Sequence, residues 1–180
     1  MRSLTEVSRA SLVVLLVLGG CSRQPAGEAP ASGNPWVVSE DGVAAARIGT
    51  PRNELVTRGG AVLPGGSSEC EFVRPAGAPQ GLAAMVVDGT VRRVDVIEPG
   101  ITTTAGIGVG SPAADLSKAY PWASTSMPHK YISGGHYVVV DILDSPGGPR
   151  RLVFETAEDG TVIRYRAGAP PQVDWVEGCS

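Results

Sequence analysis

Aromatic residues supply only 5% of this 180-residue chain, and it holds just two histidines and three cysteines. So few rings leave Val, Leu, Ile and Ala to build the core. No apolar run exceeds the seven residues of Leu12 to Leu18. A transmembrane helix needs about 20, so a multi-span membrane protein is excluded. Positive charge is also short, with 15 Lys and Arg against 18 Asp and Glu for a net charge of −3. A nucleic-acid binder needs clustered cations to meet phosphates, so that class is disfavoured. Glycine and proline are plentiful, at 24 and 15 positions, but follow no Gly-X-Y period and accompany no heptads. Collagen and coiled coil are thereby excluded.

The N-terminus carries the strongest signal. Arg2 and Arg9 precede the apolar run, which ends in Leu18-Gly19-Gly20-Cys21. That length suits the apolar region of a secretory signal. An apolar residue, two small residues and then cysteine resembles the lipobox of bacterial lipoproteins. The resemblance implies cleavage before Cys21, diacylation of its sulfur and acylation of the new amino group. Two or three acyl chains hold a protein firmly at a bilayer, whereas one holds it marginally. An ordinary secretory signal with a chance cysteine is the alternative. Ser22 rather than Asp follows the cysteine, which in that family points to the outer membrane, facing the periplasm.

Residues 1–20 therefore read as signal peptide and 21–35 as acylated cysteine plus linker. Ser22 to Pro35 has no large apolar side chain and reads as a disordered tether. Beyond it, the sequence resembles itself. Ile48-Gly49-Thr50-Pro51 matches Val109-Gly110-Ser111-Pro112 at an offset of 61, and Asp88-Gly89-Thr90-Val91 recurs as Asp159-Gly160-Thr161-Val162 at an offset of 71. Matches kept in the same order suggest an internal repeat, with units over residues 36–104 and 105–180.

Each copy places Thr50 or Ser111 as a helix cap with proline next, suited to the first helical position. The helices are expected to stop near Gly59 and Tyr120, and each Asp-Gly pair to make a tight hairpin turn. Val94 and Val96 alternate with Arg93 and Asp95, as Tyr165 and Ala167 do with Arg164 and Arg166. The apolar set should be buried and the charged set wet. The expected fold class is α+β: two tandem units, each a short helix followed by antiparallel strands, with the helices packed on one face of the sheet. Such units resemble the beta-lactamase-inhibitor-protein fold and the small outer-membrane assembly lipoproteins related to it. The resemblance implies an envelope module that binds other proteins and catalyses nothing.

Reactive chemistry is sparse. Gly106-Ile107-Gly108-Val109-Gly110 lacks dinucleotide-binding spacing, and Gly65-Gly66-Ser67-Ser68 lacks the elbow of a serine hydrolase. His129 and His136 flank a Gly134-Gly135 hairpin with His136 opposite Ser133, too far apart to share a metal, and read as surface residues. Asp141 and Asp144 read as solvating a loop. No metal, cofactor or catalytic residue is expected. Tyr120, Trp122 and Trp175 are the interface candidates, because aromatic anchors enrich binding hot spots, although core duty competes for each. With Cys21 acylated, Cys70 and Cys179 remain in an oxidising compartment and are expected to pair, Cys179 following a final strand over Val173 to Val176. Three functions remain open: a protein-binding or inhibitory envelope module, favoured; a scaffold in outer-membrane assembly; and, last, a cell-wall hydrolase using His129 or His136.

Overall fold

The computed structural model describes residues 34–123 and 125–180. The signal segment, Cys21 and nearly all of the tether lie outside these residues. The elements in chain order are β1 (Gly42–Val43), β2 (Ala46–Arg47), α1 (Arg52–Thr57), β3 (Ala61–Val62), β4 (Cys70–Arg74), β5 (Leu82–Val87) and β6 (Thr90–Val96). They continue with α2 (Ala113–Ala119), β7 (Thr125–Pro128), β8 (His136–Ile142), β9 (Arg150–Thr156), β10 (Val162–Gly168) and a 3-10 turn at Gln172–Asp174. β1 and β2 form a small hairpin. All the other strands form one antiparallel sheet in the order β3-β4-β5-β6-β10-β9-β8-β7.

This overturns the expected α+β class. Among the described residues the chain is mostly β, with two α-helices of only six and seven residues. Each helix buries one side chain, Leu55 in α1 and Leu116 in α2. Helices of under two turns cannot make a layer. The halves also share one sheet rather than forming two helix-covered units, because β6 pairs with β10 from Arg93↔Gly168 to Val96↔Tyr165.

Strand alternation was the dependable signal. Val94, Val96, Tyr165 and Ala167 all lie in the main core, on what we term the inner face of the sheet. The helices' leucines, the β1–β2 hairpin and loop residues Ile101 and Ile107 close over them. Gly42 is needed in that cover: its φ is +95°, and a Cβ would stand 2.4 Å from the Ala46 carbonyl oxygen. Three of the aromatics gather there too, with Phe154 at 5.4 Å from Tyr120 and 5.6 Å from Tyr165, centre to centre.

The two sequence matches mark matched backbone contacts. Gly49 N–H donates to Val91 and Gly110 N–H to Val162, while Val91 N–H returns to Thr50 and Val162 N–H to Ser111. A register shift follows at the same place in each, beside Val91 and beside Val162, the mark of a β-bulge. The details differ from expectation. Pro51 and Pro112, not Thr50 and Ser111, are the N-cap residues, and neither helix has a side-chain cap. The Ser111 hydroxyl instead accepts from Gly108 N–H at 3.0 Å. Asp88-Gly89 makes the expected two-residue turn with both φ positive, 48° and 73°. Asp159-Gly160 sits in a wider loop, where the Asp159 carboxylate accepts from Thr161 N–H at 2.9 Å.

Candidate functional site

The outer face of the sheet was expected to be wet. Arg93 and Arg166 point to it as predicted, yet they are only 3% and 4% exposed. The cover is the C-terminal segment, residues 169–180, which crosses this face as a strap. No final strand forms over Val173 to Val176. The segment makes the 3-10 turn, with Val173 fully buried against Tyr137, Val139 and Val153. Its far end is joined to β4 by a Cys70–Cys179 disulfide, with Cα atoms 5.4 Å apart.

Two arginines hold the strap through its backbone. Arg93 Nη1 donates to the carbonyls of Gln172 (3.0 Å) and Trp175 (2.7 Å), and Arg166 Nε donates to that of Val173 at 2.5 Å. Each arginine also has a carboxylate and a ring. Arg93 Nε bonds Asp95 at 2.8 Å, and its guanidinium lies 5.9 Å from the Phe72 ring centre. Arg166 pairs with Glu155 and lies 5.9 Å from the Tyr137 ring centre. A buried charge is tolerable only when paired and hydrogen-bonded, and these donors are satisfied on several sides. Arg151 adds a salt bridge to Asp174 of the strap at 2.7 Å and one to Asp141 at 2.6 Å. Burial lowers its pKa, but the bonds to Asp174 and Asp141 outweigh that and hold it raised.

His129 belongs to the same cluster and is not the surface histidine expected. Its side chain is 3% exposed, Nε2 lies 2.8 Å from Glu155, and its ring stacks on Tyr137 at 4.5 Å. Nδ1 accepts from the N–H groups of Tyr131 (3.0 Å) and Ile132 (3.2 Å). An atom taking two N–H donors carries no proton, so Nε2 bears it and donates to Glu155. Glu155 thereby meets Arg166, His129 and, at 3.4 Å, Arg164. The ring is locked between a carboxylate and two amides. Among the described residues, no group of three His, Cys, Asp or Glu could hold a metal. His136, exposed, lines a separate groove beside α2 with Ser117, Tyr120 and Ser126.

The interface candidates are divided. Tyr120 is buried on the inner face, its hydroxyl donating to Thr103 Oγ1 at 2.9 Å. Burial raises its pKa, as the nearby charge of Glu40 does, against the bond to Thr103. Trp122 meets the Tyr120 ring edge-on at 6.1 Å and is 62% exposed. Trp175 lies on the strap, over the opposite face. Cys21 lies outside the described residues. Sequence reading missed Arg74, Arg93, Arg164 and Arg166 as a set, although alternation had already put three of them on one face. No described helix is long and apolar enough to cross a membrane.

Two grooves flank the strap. One, of about 340 Å³, lies over β4, β5, β6 and β10, with Phe72, Arg74, Ile97, Arg164 and Val176 in its lining. The other lies toward the β7 edge, with Met127, Tyr137, Val153 and Val176. Set against protein families, curated proteins and solved structures, the chain matches none of them.

Proposed function

We propose that this protein is a lipid-anchored envelope module that binds or inhibits another protein and performs no reaction of its own. One observation carries the binding reading: the outer sheet face joins exposed apolar side chains to an ordered set of charges. Met127, Tyr131 and Trp175 stand 47%, 60% and 37% exposed around the strap. Large rings and methionine beside oriented arginines are the composition of protein interfaces. The anchoring half of the reading rests on the Leu18-Gly19-Gly20-Cys21 motif.

The test is a cross-linked pull-down of the chain from detergent-solubilised envelopes of cells expressing it, with and without Cys21→Ser. Wild-type protein should label with radioactive palmitate and retain a defined protein partner. The variant should lose the label. Equal labelling of both forms refutes the anchor, and an empty pull-down after cross-linking refutes the binding reading.

A further inference from the structure

The geometry points to an acidic segment of a partner protein as the occupant of the groove over β4, β5, β6 and β10. This rests on the protein-binding reading and adds the chemistry of the partner.

Charge is distributed unevenly over the molecule. Across residues 34–180, acids outnumber bases 16 to 12. The lining of the groove over β4, β5, β6 and β10 reverses this, with Arg74, Arg93, Arg164 and Arg166 against Asp95, Glu155 and the strap's Glu177. A positive patch on an otherwise negative chain selects a negative partner and steers its approach.

Within this groove the carboxylates are already engaged. Asp95 is held by Arg93, Glu155 by Arg166 and His129, and Glu177 by Lys130 and Tyr131. Two cations are not matched in the same way. Arg164 is 54% exposed along its side chain and has only a 3.4 Å share in the crowded Glu155. Arg74 has no ion pair among the described residues, and its Nε is buried without a hydrogen-bond partner. Between them lie Phe72, Ala83 and Ile97, the last 56% exposed. A slot with apolar side chains and a cation on either side suits an acidic segment that also carries apolar side chains.

The strap shows this face gripping an acid-bearing segment through its backbone. It runs as turns on either side of the 3-10 turn, carries Asp174 and Glu177, buries Val173, and is held through carbonyls by Arg93 and Arg166. An anionic bilayer fits less well, because the paired carboxylates set between the arginines would face a uniform sheet of negative headgroups.

Fluorescence anisotropy with two labelled octapeptides, alternating Val-Glu and alternating Val-Lys, tests the assignment on the complete mature chain. The acidic peptide should bind and the basic one should not. R74E/R164E should weaken binding at least tenfold, as should raising salt from about 50 to 500 mM. K118E, on α2 and the opposite face, should leave binding unchanged. Because Arg164 touches Glu155, R74Q/R164Q serves as the gentler variant, with melting curves to confirm folding. Equal binding of both peptides, no binding by wild type, or full binding by folded R74Q/R164Q overturns the proposal. So does groove-dependent dimerisation, or groove-dependent sedimentation with phosphatidylglycerol vesicles. Envelope capture that survives R74Q/R164Q overturns this groove alone, whereas an empty wild-type pull-down overturns the binding reading beneath it.

Discussion

Replacing both Cys70 and Cys179 by serine cuts a link between residues 109 apart in sequence. In the chain-entropy account, closing a loop of that length restricts the unfolded chain by about 16 cal/mol/K, or about 4.8 kcal/mol at 25 °C. A domain of this size has roughly 5–15 kcal/mol in total, so the loss is a third or more of it. The native strap has other holds: buried Val173, carbonyl bonds from two arginines, and the Arg151–Asp174 pair. The serine variant should therefore fold, keep its strap docked and become less stable. Equilibrium urea unfolding should show a lower midpoint, and calorimetry a melting point down by roughly 10–20 °C. Native-state proteolysis should leave residues 169–178 intact in both proteins. A loss below about 1 kcal/mol would refute the loop-entropy reasoning. Rapid cleavage of the strap in the folded variant would show instead that the bond acts on the native state.

Two further outcomes follow from the buried charges and rings. Glu155→Gln removes the carboxylate between Arg166 and His129, leaving a buried guanidinium without its counter-charge, and should cost about 3–5 kcal/mol by urea unfolding; a cost under 1 kcal/mol would show that water reaches Arg166. Burial pushes the phenol of Tyr165 upward, and the charge of Tyr120 adds to it, while burial also raises Tyr120 itself. Above pH 10 the unfolded chain then loses protons that the folded one keeps, so stability falls as pH rises, by up to about 1.4 kcal/mol per unit for each ring. Tyr165→Phe should flatten that alkaline slope, and an unchanged slope would place the titration elsewhere.

How much of this was legible in the sequence depended on which physical signal each feature leaves. Alternation identifies the two faces of a strand from local spacing alone, so Val94, Val96, Tyr165 and Ala167 were correctly placed inside. Asp88-Gly89 was legible because a two-residue turn needs two positive φ values. Helix signals over 52–57 and 113–119 were real but weak in consequence: one buried leucine each makes no layer, and the sheet sets the fold class. His129 was misread because its partners, Glu155 and Tyr137, come from β9 and β8. Pairing over 26 residues leaves no mark in local spacing.

Alternation tells which side a residue faces and is silent on what covers that side. Arg93 and Arg164 show the difference. They are 71 positions apart, follow matching register shifts and point to the same outer face. Arg93 is 4% exposed along its side chain, Arg164 54%. The cause is the chain's exit from β10. Ala169 N–H bonds the Arg92 carbonyl, which starts the strap beside β6 and brings the Gln172 and Trp175 carbonyls over Arg93. Arg93 thereby becomes an anchor with its donors committed, while Arg164 keeps most of its surface and only a shared carboxylate. Equivalent residues made inequivalent by a one-sided extension give the outer face a closed half and an open half. The proposed acidic segment would occupy the open one and leave the strap seated.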